Sequence, residues 1–285
     1  MSRVAYVNGA YVPLEMAFVH IEDRGYQFSD GIYEVISIYR GKCIDMEPHL
    51  DRMWRSMKAL SISEPMGRAA LKIVMAEVIR QNRVQDAILY IQVSRGVAKR
   101  DHAFPADILS SLVMTCRRFN FTAVKDRAKI GVKVVSQPDI RWGRCDIKSI
   151  SLLPNVLAKQ AAREQGGIEA IMIDTDGYIT EGSSTNIWMV TKDGRIVTRS
   201  TQDNILSGIT RAAVLSIAEG LQMPIEERAF TLDEAKAAAE MFLTSSTSCA
   251  MPITQVDNTL IGDGKPGTLT SRLVTRYWDM MDNRV

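Results

Sequence analysis

The chain has 285 residues, 46% of them hydrophobic and 24% charged, and its 35 Lys and Arg against 33 Asp and Glu leave a formal net charge of +2. That length exceeds the usual size of one hydrophobic core, so two α/β domains of about 100–150 residues each are expected. A balance so near neutral, with no long basic run, supplies no field that would hold nucleic acid or an anionic membrane, and small neutral or zwitterionic partners fit better.

The elements follow in chain order. VAYVNGAYVP is two short alternating runs about an Asn-Gly turn, a hairpin signal, and DGIYEVISIYRGKCI repeats the pattern with Arg-Gly-Lys at the turn. In EPHLDRMWRSMKALSI the residues Leu50, Met53, Trp54 and Met57 fall on one helical face, and a second amphipathic helix runs through Leu71, Val74 and Val78. AILYIQVSRG and LSSLVMTCRR read as strands separated by the loop VAKRDHAFPAD. An N-terminal α+β domain is therefore placed at residues 1–119, a polar, aperiodic linker at 120–128, and a C-terminal α/β domain at 129–285. Within the last, KIGVKVVSQ is a strand and NVLAKQAAREQGG a helix closed by glycines. EAIMIDTDGYITEG and NIWMVTKDGRIVT are hairpins turned at Asp-Gly. GITRAAVLSIAEGLQ and TLDEAKAAAE read as helices, EMFLTSS as a strand and TLTSRLVTRYWDMM as a closing helix.

Cys43, Cys116, Cys145 and Cys249 are scattered without a CxxC pair. This suits a reducing compartment, the cytoplasm by default, and argues against a disulfide framework or a zinc cluster. The opening MSRVAYVNGAYVPLE lacks the layout of a signal peptide, and no apolar run approaches the ~20 residues of a membrane helix. His20, His49 and His102 have no metal-ligand spacing, so no metal is expected. GxGxxG after the first strand, GxxxxGK[ST] and GxSxG are all missing, which leaves dinucleotide, P-loop and nucleophile-elbow chemistry without support.

Four features point to chemistry. Lys148 stands between Ile147 and an apolar run, in a segment that resembles a strand entering a helix. A lysine in an apolar pocket has its charged form disfavoured and becomes a nucleophile and base able to form a Schiff base; an edge-strand lysine pointing to water is the other reading. Glu181 precedes Gly182 and the hydroxyls of Ser183, Ser184 and Thr185. This is either a polar turn or a carboxylate that keeps a heteroaromatic nitrogen protonated, as an electron-sink cofactor requires. Ser207-Gly208-Ile209-Thr210 opens a helix, which is either simple capping or an anion site to which Ser246 and Thr247 would add donors. Arg52, on the polar side of its helix, is a solvated arginine or the neutralising group for a phosphate. Together these features suit pyridoxal phosphate.

The same residues carry a resemblance. EDRGYQFSDGIYEV, HLDRMWRSM, SRGVAKRDHAFP, DIKSISLLPNVLAKQAA, EGSSTNIW, ILSGITR and FLTSSTS resemble, in order and over nearly the whole chain, the fold-type IV pyridoxal-phosphate enzymes of the class IV aminotransferase family. Within it the chain is most similar to the D-amino-acid aminotransferases. The resemblance implies a homodimer of two-domain α/β (α+β) subunits with pyridoxal 5'-phosphate between domains and near the subunit interface. It makes Lys148 the Schiff-base lysine and proton-transfer base, and Glu181 the partner of the pyridine nitrogen. Arg52, Ile209, Thr210, Ser246 and Thr247 become phosphate ligands, and Leu206 packs against the ring. Tyr33, with Arg100 and His102 reaching in from the other subunit, would trap the substrate carboxylate and so select which Cα–H faces Lys148. Asp101 and Lys99 add charges that could loosen or redirect that trap. The implied reaction is transamination from a D-amino acid to a 2-oxo acid. Branched-chain L-aminotransferases, aminodeoxychorismate lyases and R-selective amine transaminases share the cofactor motifs and are the alternatives.

Overall fold

The structure, a computed structural model, describes residues 3–284. The chain divides into two compact units, residues 3–120 with Ile147–Ser151, and Phe121–Asp146 with Leu152–Arg284.

The first unit begins with β1 (Val4–Val7) and β2 (Ala10–Pro13), joined through Asn8 and Gly9. Both turn residues have positive φ, 45° and 101°, which explains why the two-residue turn is written Asn-Gly. Then come α1 (Arg24–Phe28), β3 (Gly31–Tyr39), β4 (Lys42–Cys43), α2 (Met46–Ala59), α3 (Arg68–Asn82), β5 (Ala87–Ser94) and β6 (Ser111–Arg118). The strands form one antiparallel sheet in the order β2-β1-β6-β5-β3-β4. Its faces follow from alternation. Ile32, Ile36 and Ile38, with Leu89, Ile91 and Val93, are buried together with Leu50, Met53 and Met57 of α2 and Leu71, Met75 and Val78 of α3. Each such side chain contributes roughly 1.5–3 kcal/mol by leaving water. Tyr33, Val35, Tyr90 and Gln92 alternate onto the other face and stay half-exposed. Trp54, expected on the buried stripe, sits at its margin with the Arg68 guanidinium 5.9 Å from its ring.

The second unit contains α4 (Phe121–Ala128), β7 (Val132–Pro138), α5 (Leu153–Glu164), β8 (Glu169–Ile173), β9 (Ile179–Gly182), β10 (Asn186–Val190) and β11 (Ile196–Thr198). It continues through α6 (Ile209–Gly220), β12 (Ile225–Glu227), α7 (Leu232–Lys236), β13 (Glu240–Ser245), β14 (Cys249–Val256), β15 (Thr259–Leu260) and α8 (Thr268–Asn283). Its sheet runs β12-β11-β10-β13-β14-β7-β8-β9, with β15 on β14, and is mixed. The β11/β12, β14/β7 and β7/β8 pairs are parallel and the others antiparallel. The two Asp-Gly hairpins form as expected: β8 turns into β9, and β10 into β11. Among the described residues no helix is long and apolar enough to cross a membrane.

Four expectations need correction. Residues 120–128 are no extended linker, because Phe121–Ala128 is helical and buries Phe121, Val124 and Ala128 along one stripe. Phe121 meets Trp278 edge-on at 6.2 Å. With only three apolar anchors among charged neighbours, this stripe passes for aperiodic sequence. Ile147–Ser151, assigned to the second domain, is grouped with the first unit. That segment is also no strand: it is irregular backbone with a single bridge, Ser149 to Ile32. Finally, TLDEAKAAAE is helical only over Leu232–Lys236, and β14 completes a hairpin with β13 that was not anticipated.

Candidate active site

In the first unit Lys148 is held from its backbone. Its carbonyl accepts from Tyr33 N at 3.0 Å, and the bridge between Ser149 and Ile32 ties the following residue to β3. Ile147 is buried in the helix-covered core, while the Lys148 side chain turns toward Tyr33. There Lys148 Nζ lies 4.2 Å from the centre of the Tyr33 ring, close enough for a cation–π attraction. Tyr33 stacks on Tyr90 at 5.8 Å, and Tyr90 donates to Gln92 Oε1 at 2.7 Å. Burial, with Tyr33 beside it, pushes the Tyr90 phenol up to about 12. Tyr33 and Lys148 thus share one place.

Arg52 is not the solvated helix arginine that its position on α2 suggested: it is 3% exposed. The reason is Glu34, which alternates onto the covered face of β3. Arg52 Nε donates to Glu34 Oε1 at 2.7 Å and Nη2 to Oε2 at 2.9 Å. His49 Nδ1 lies 2.7 Å from the same Oε2 and must donate there, since a carboxylate oxygen can only accept. Burial raises the Glu34 carboxyl, but the charge and hydrogen bonds of Arg52 and then His49 outweigh it, holding the carboxyl down at about 2. The guanidinium is thereby fixed in one orientation.

Arg100 and His102 belong to the loop between β5 and β6 and are exposed. Both gather around Phe28: the Arg100 guanidinium is 4.8 Å from that ring and the His102 ring 5.4 Å from it. They are therefore brought to each other, whereas Tyr33 keeps company with Lys148 and Tyr90. Asp101, between them, accepts from Ala103 N through Oδ1 at 3.1 Å, so its carboxylate shapes the turn.

In the second unit Glu181 lies on β9 and is buried. Arg141 Nη1 donates to its Oε1, while Asn186 Nδ2 and Leu206 N each donate to its Oε2 at 3.1 Å. Leu206 is thus held to Glu181 through its backbone. Arg141 also meets Asp139 at 2.7–2.9 Å through Nη2 and Nε. Burial would lower the Arg141 pKa, but Asp139 and Glu181 carry it well above the ordinary arginine value. The Asp139 carboxyl, raised by burial, is pulled below its usual range by Arg141. The hydroxyls that follow Glu181 serve the scaffold: Ser183 and Ser184 donate to buried Glu169, which Lys159 approaches at 3.0 Å. Ile209 and Thr210 begin α6, whose N-cap is Gly208, and that first turn has neither a capping side chain nor an acidic residue. Its amides therefore point out with the positive end of the helix dipole. Ser246 and Thr247 form the turn from β13 to β14, where Ser248 N donates to Ser245 Oγ at 2.9 Å.

Pyridoxal phosphate requires an amine for its aldehyde, an anion fixed at its pyridine nitrogen and donors for its phosphate. Each unit by itself holds groups of that chemistry: the first has Lys148 and the locked Arg52, and the second has a buried Glu181 carboxylate paired with Arg141 and the uncapped first turn of α6. Sequence reasoning missed Glu34, His49, Arg141 and Asn186. Only Glu34 carried a signal, being a charge on the buried parity of an otherwise apolar strand.

The chain belongs to the class IV aminotransferases, whose family model matches residues 31–256. It is an aminotransferase of fold type IV, with pyridoxal 5'-phosphate as cofactor. Among curated proteins it is 40% identical to the D-alanine aminotransferase of Bacillus licheniformis over 268 residues, 94% of this chain and 93% of that protein. It is 38% identical to that of Staphylococcus epidermidis, over 96% and 95% of the two chains. Two solved branched-chain amino acid aminotransferases share the fold. That of Escherichia coli superposes with TM-score 0.91 at 22% identity, covering 98% of this chain and 94% of the other. That of T.th., solved with pyridoxamine 5'-phosphate, gives 0.91 at 23%, covering 100% and 96%.

Proposed function

We propose that the chain catalyses reversible transamination from a D-alanine-type donor to a 2-oxoglutarate-type acceptor, as a cytoplasmic homodimer. The observation that carries this reading is 40% identity to a D-alanine aminotransferase across 94% of the chain. The placement of Lys148 against Tyr33 supports it.

Pyridoxal phosphate, when bound, supplies an aldehyde that condenses with amines and a pyridine ring that takes up the electron pair left at Cα. Lys148 Nζ would hold its aldehyde and would serve as the base that takes the substrate Cα proton and returns it. The Tyr33 ring face orients that nitrogen. Glu181, paired with Arg141, would accept from the pyridine nitrogen and keep it protonated. Leu206 would pack beside its ring, and Arg52, Ile209, Thr210, Ser246 and Thr247 would hold its phosphate. Arg100 and His102 are exposed because they serve a second copy of the chain, where with Tyr33 they hold the α-carboxylate and determine which Cα–H meets Lys148.

The test is the visible spectrum of the reconstituted protein on separate addition of D-alanine, L-leucine and an R-amine. Bleaching with stoichiometric pyruvate from D-alanine alone is expected. Bleaching by L-leucine alone would make this a branched-chain enzyme, and by the R-amine alone an amine transaminase.

A further inference from the structure

The loop that carries Arg100 and His102 is tied down by a buried ionic cluster at its root, for which the reaction as derived has no use. Arg24 and Arg95, 3% and 4% exposed, share one carboxylate. Arg24 Nε donates to Asp30 Oδ2 at 2.8 Å; Arg95 donates to Oδ2 at 2.7 Å from Nε and to Oδ1 at 2.9 Å from Nη2. Burial raises the Asp30 carboxyl, but Arg95 and Arg24 bring it below its ordinary value. The two arginines then turn to different tasks. Arg95 closes on the carbonyls of Leu60 and Ser61, each at 2.8 Å, and its guanidinium lies 3.6 Å from the centre of the Phe104 ring. Arg24 reaches the loop itself: Nη1 donates to Asp101 O at 2.6 Å and to Ala103 O at 3.3 Å, and Nη2 to His102 O at 3.4 Å.

Three consecutive carbonyls converging on one planar guanidinium fix the backbone on both sides of His102. The ring of Phe28, one turn along α1, lies 4.9 Å from the same guanidinium and carries Arg100 and His102 against it. The loop's second residue is built for this approach: Gly96 has φ 110°, its carbonyl accepts from Arg24 N at 2.9 Å, and a Cβ there would strike the carbonyl of Leu109 at the loop's far end.

We propose that Arg24 is the positioning residue of the substrate-carboxylate loop, fixing Arg100 and His102 through the carbonyls of Asp101, His102 and Ala103; this rests on the reading of those two residues as carboxylate ligands. Arg24 acts through them and touches neither substrate nor cofactor.

The experiment is a double-mutant cycle on the holoenzyme, with Arg24→Gln, Arg24→Lys, Arg100→Ala and each combination. KM and kcat are measured for D-alanine and 2-oxoglutarate, with the visible spectrum and Tm alongside. Arg24→Gln is expected to raise KM about tenfold with kcat altered less than about twofold and the cofactor spectrum unchanged. Arg24→Lys keeps a charge for Asp30 without the planar fork, so it should recover only part of the loss, and it gives the same readout if the Gln variant does not fold. In the Arg100→Ala background either change should have little further effect, because the group being positioned is gone. An unchanged KM for the Arg24 variants, or an equal rise with and without Arg100, would overturn the proposal while the carboxylate role of Arg100 stands. An Arg100→Ala enzyme with unaltered KM would remove that role, and the proposal with it.

Discussion

Glu34 offers the sharpest test, because its stabilising role can be worked out from its surroundings. The carboxyl is fully buried and paired with Arg52 and His49, which together hold it at about 2 against an ordinary value of 4.5. A fall of that size corresponds to about 3 kcal/mol of folding stability. The sign follows from linkage: the folded pKa is depressed, so the contribution is complete above about pH 4.5 and is lost as pH falls toward 2. Glu34→Gln keeps the shape but cannot take the charge, and it leaves the Arg52 guanidinium buried without its anion. The variant should lose about 3–5 kcal/mol at pH 7. In a unit of this size that lowers Tm by about 12–20 °C. Calorimetry of wild type and variant at pH 7, 5, 4 and 3 should show a wide gap that narrows below pH 4.5. A gap that stays constant across that range, or no gap at pH 7, would refute the assignment of the stabilisation to an ionised Glu34.

Lys148→Ala should remove the visible band of bound cofactor and lower turnover by at least about 10³-fold, by the usual weight of a nucleophile that also transfers the proton. A variant that retained the band would take Lys148 out of that role. Arg141→Met strips the cation shared by Glu181 and Asp139. It should slow the D-alanine half-reaction about tenfold or more and shift its acidic limb to higher pH, since a carboxylate without its cation holds its proton longer; stopped-flow rates across pH check this, and an unshifted limb would count against it. Gly208 has an ordinary φ of −70°, yet a Cβ there would strike Asn186 Oδ1. Gly208→Ala should therefore break the Asn186 links to Glu181 and Leu206 and weaken cofactor affinity about tenfold. Unaltered affinity in a fluorescence titration would mean that the helix start can yield.

The fold was legible where signals are local. Asn-Gly and Asp-Gly turns announced their hairpins, and Leu50, Met53 and Met57 declared the buried stripe of α2. It became illegible where an element depends on partners far away in the chain. The stripe of Phe121, Val124 and Ala128 in α4 is too narrow to stand out from its charged neighbours, and it acquires meaning only when Trp278 meets Phe121. The segment around Lys148 carries strand-like residues, yet its backbone bonds reach back to Tyr33 and Gly31 on β3, more than a hundred residues earlier. Periodicity cannot report an attachment of that kind.

The candidate site divides in the same way. Residues expected to meet a cofactor directly sit in short motifs, and so could be named one by one: Lys148, Glu181, Thr210, Thr247. The residues that fix them have no local signature. Arg141 is 40 positions from Glu181, Glu34 is 18 from Arg52, and Arg24 is 77 from the Asp101 carbonyl. In each of these pairs a guanidinium supplies the constraint, using a planar fork that can bind a carboxylate or several carbonyls at once. Glu34 alone betrayed itself, because a charge on the buried parity of β3 must be paired or must lose its charge. Candidate ligands can thus be named from motifs, whereas the accuracy with which each is held depends on buried arginines that only the folded chain brings to them.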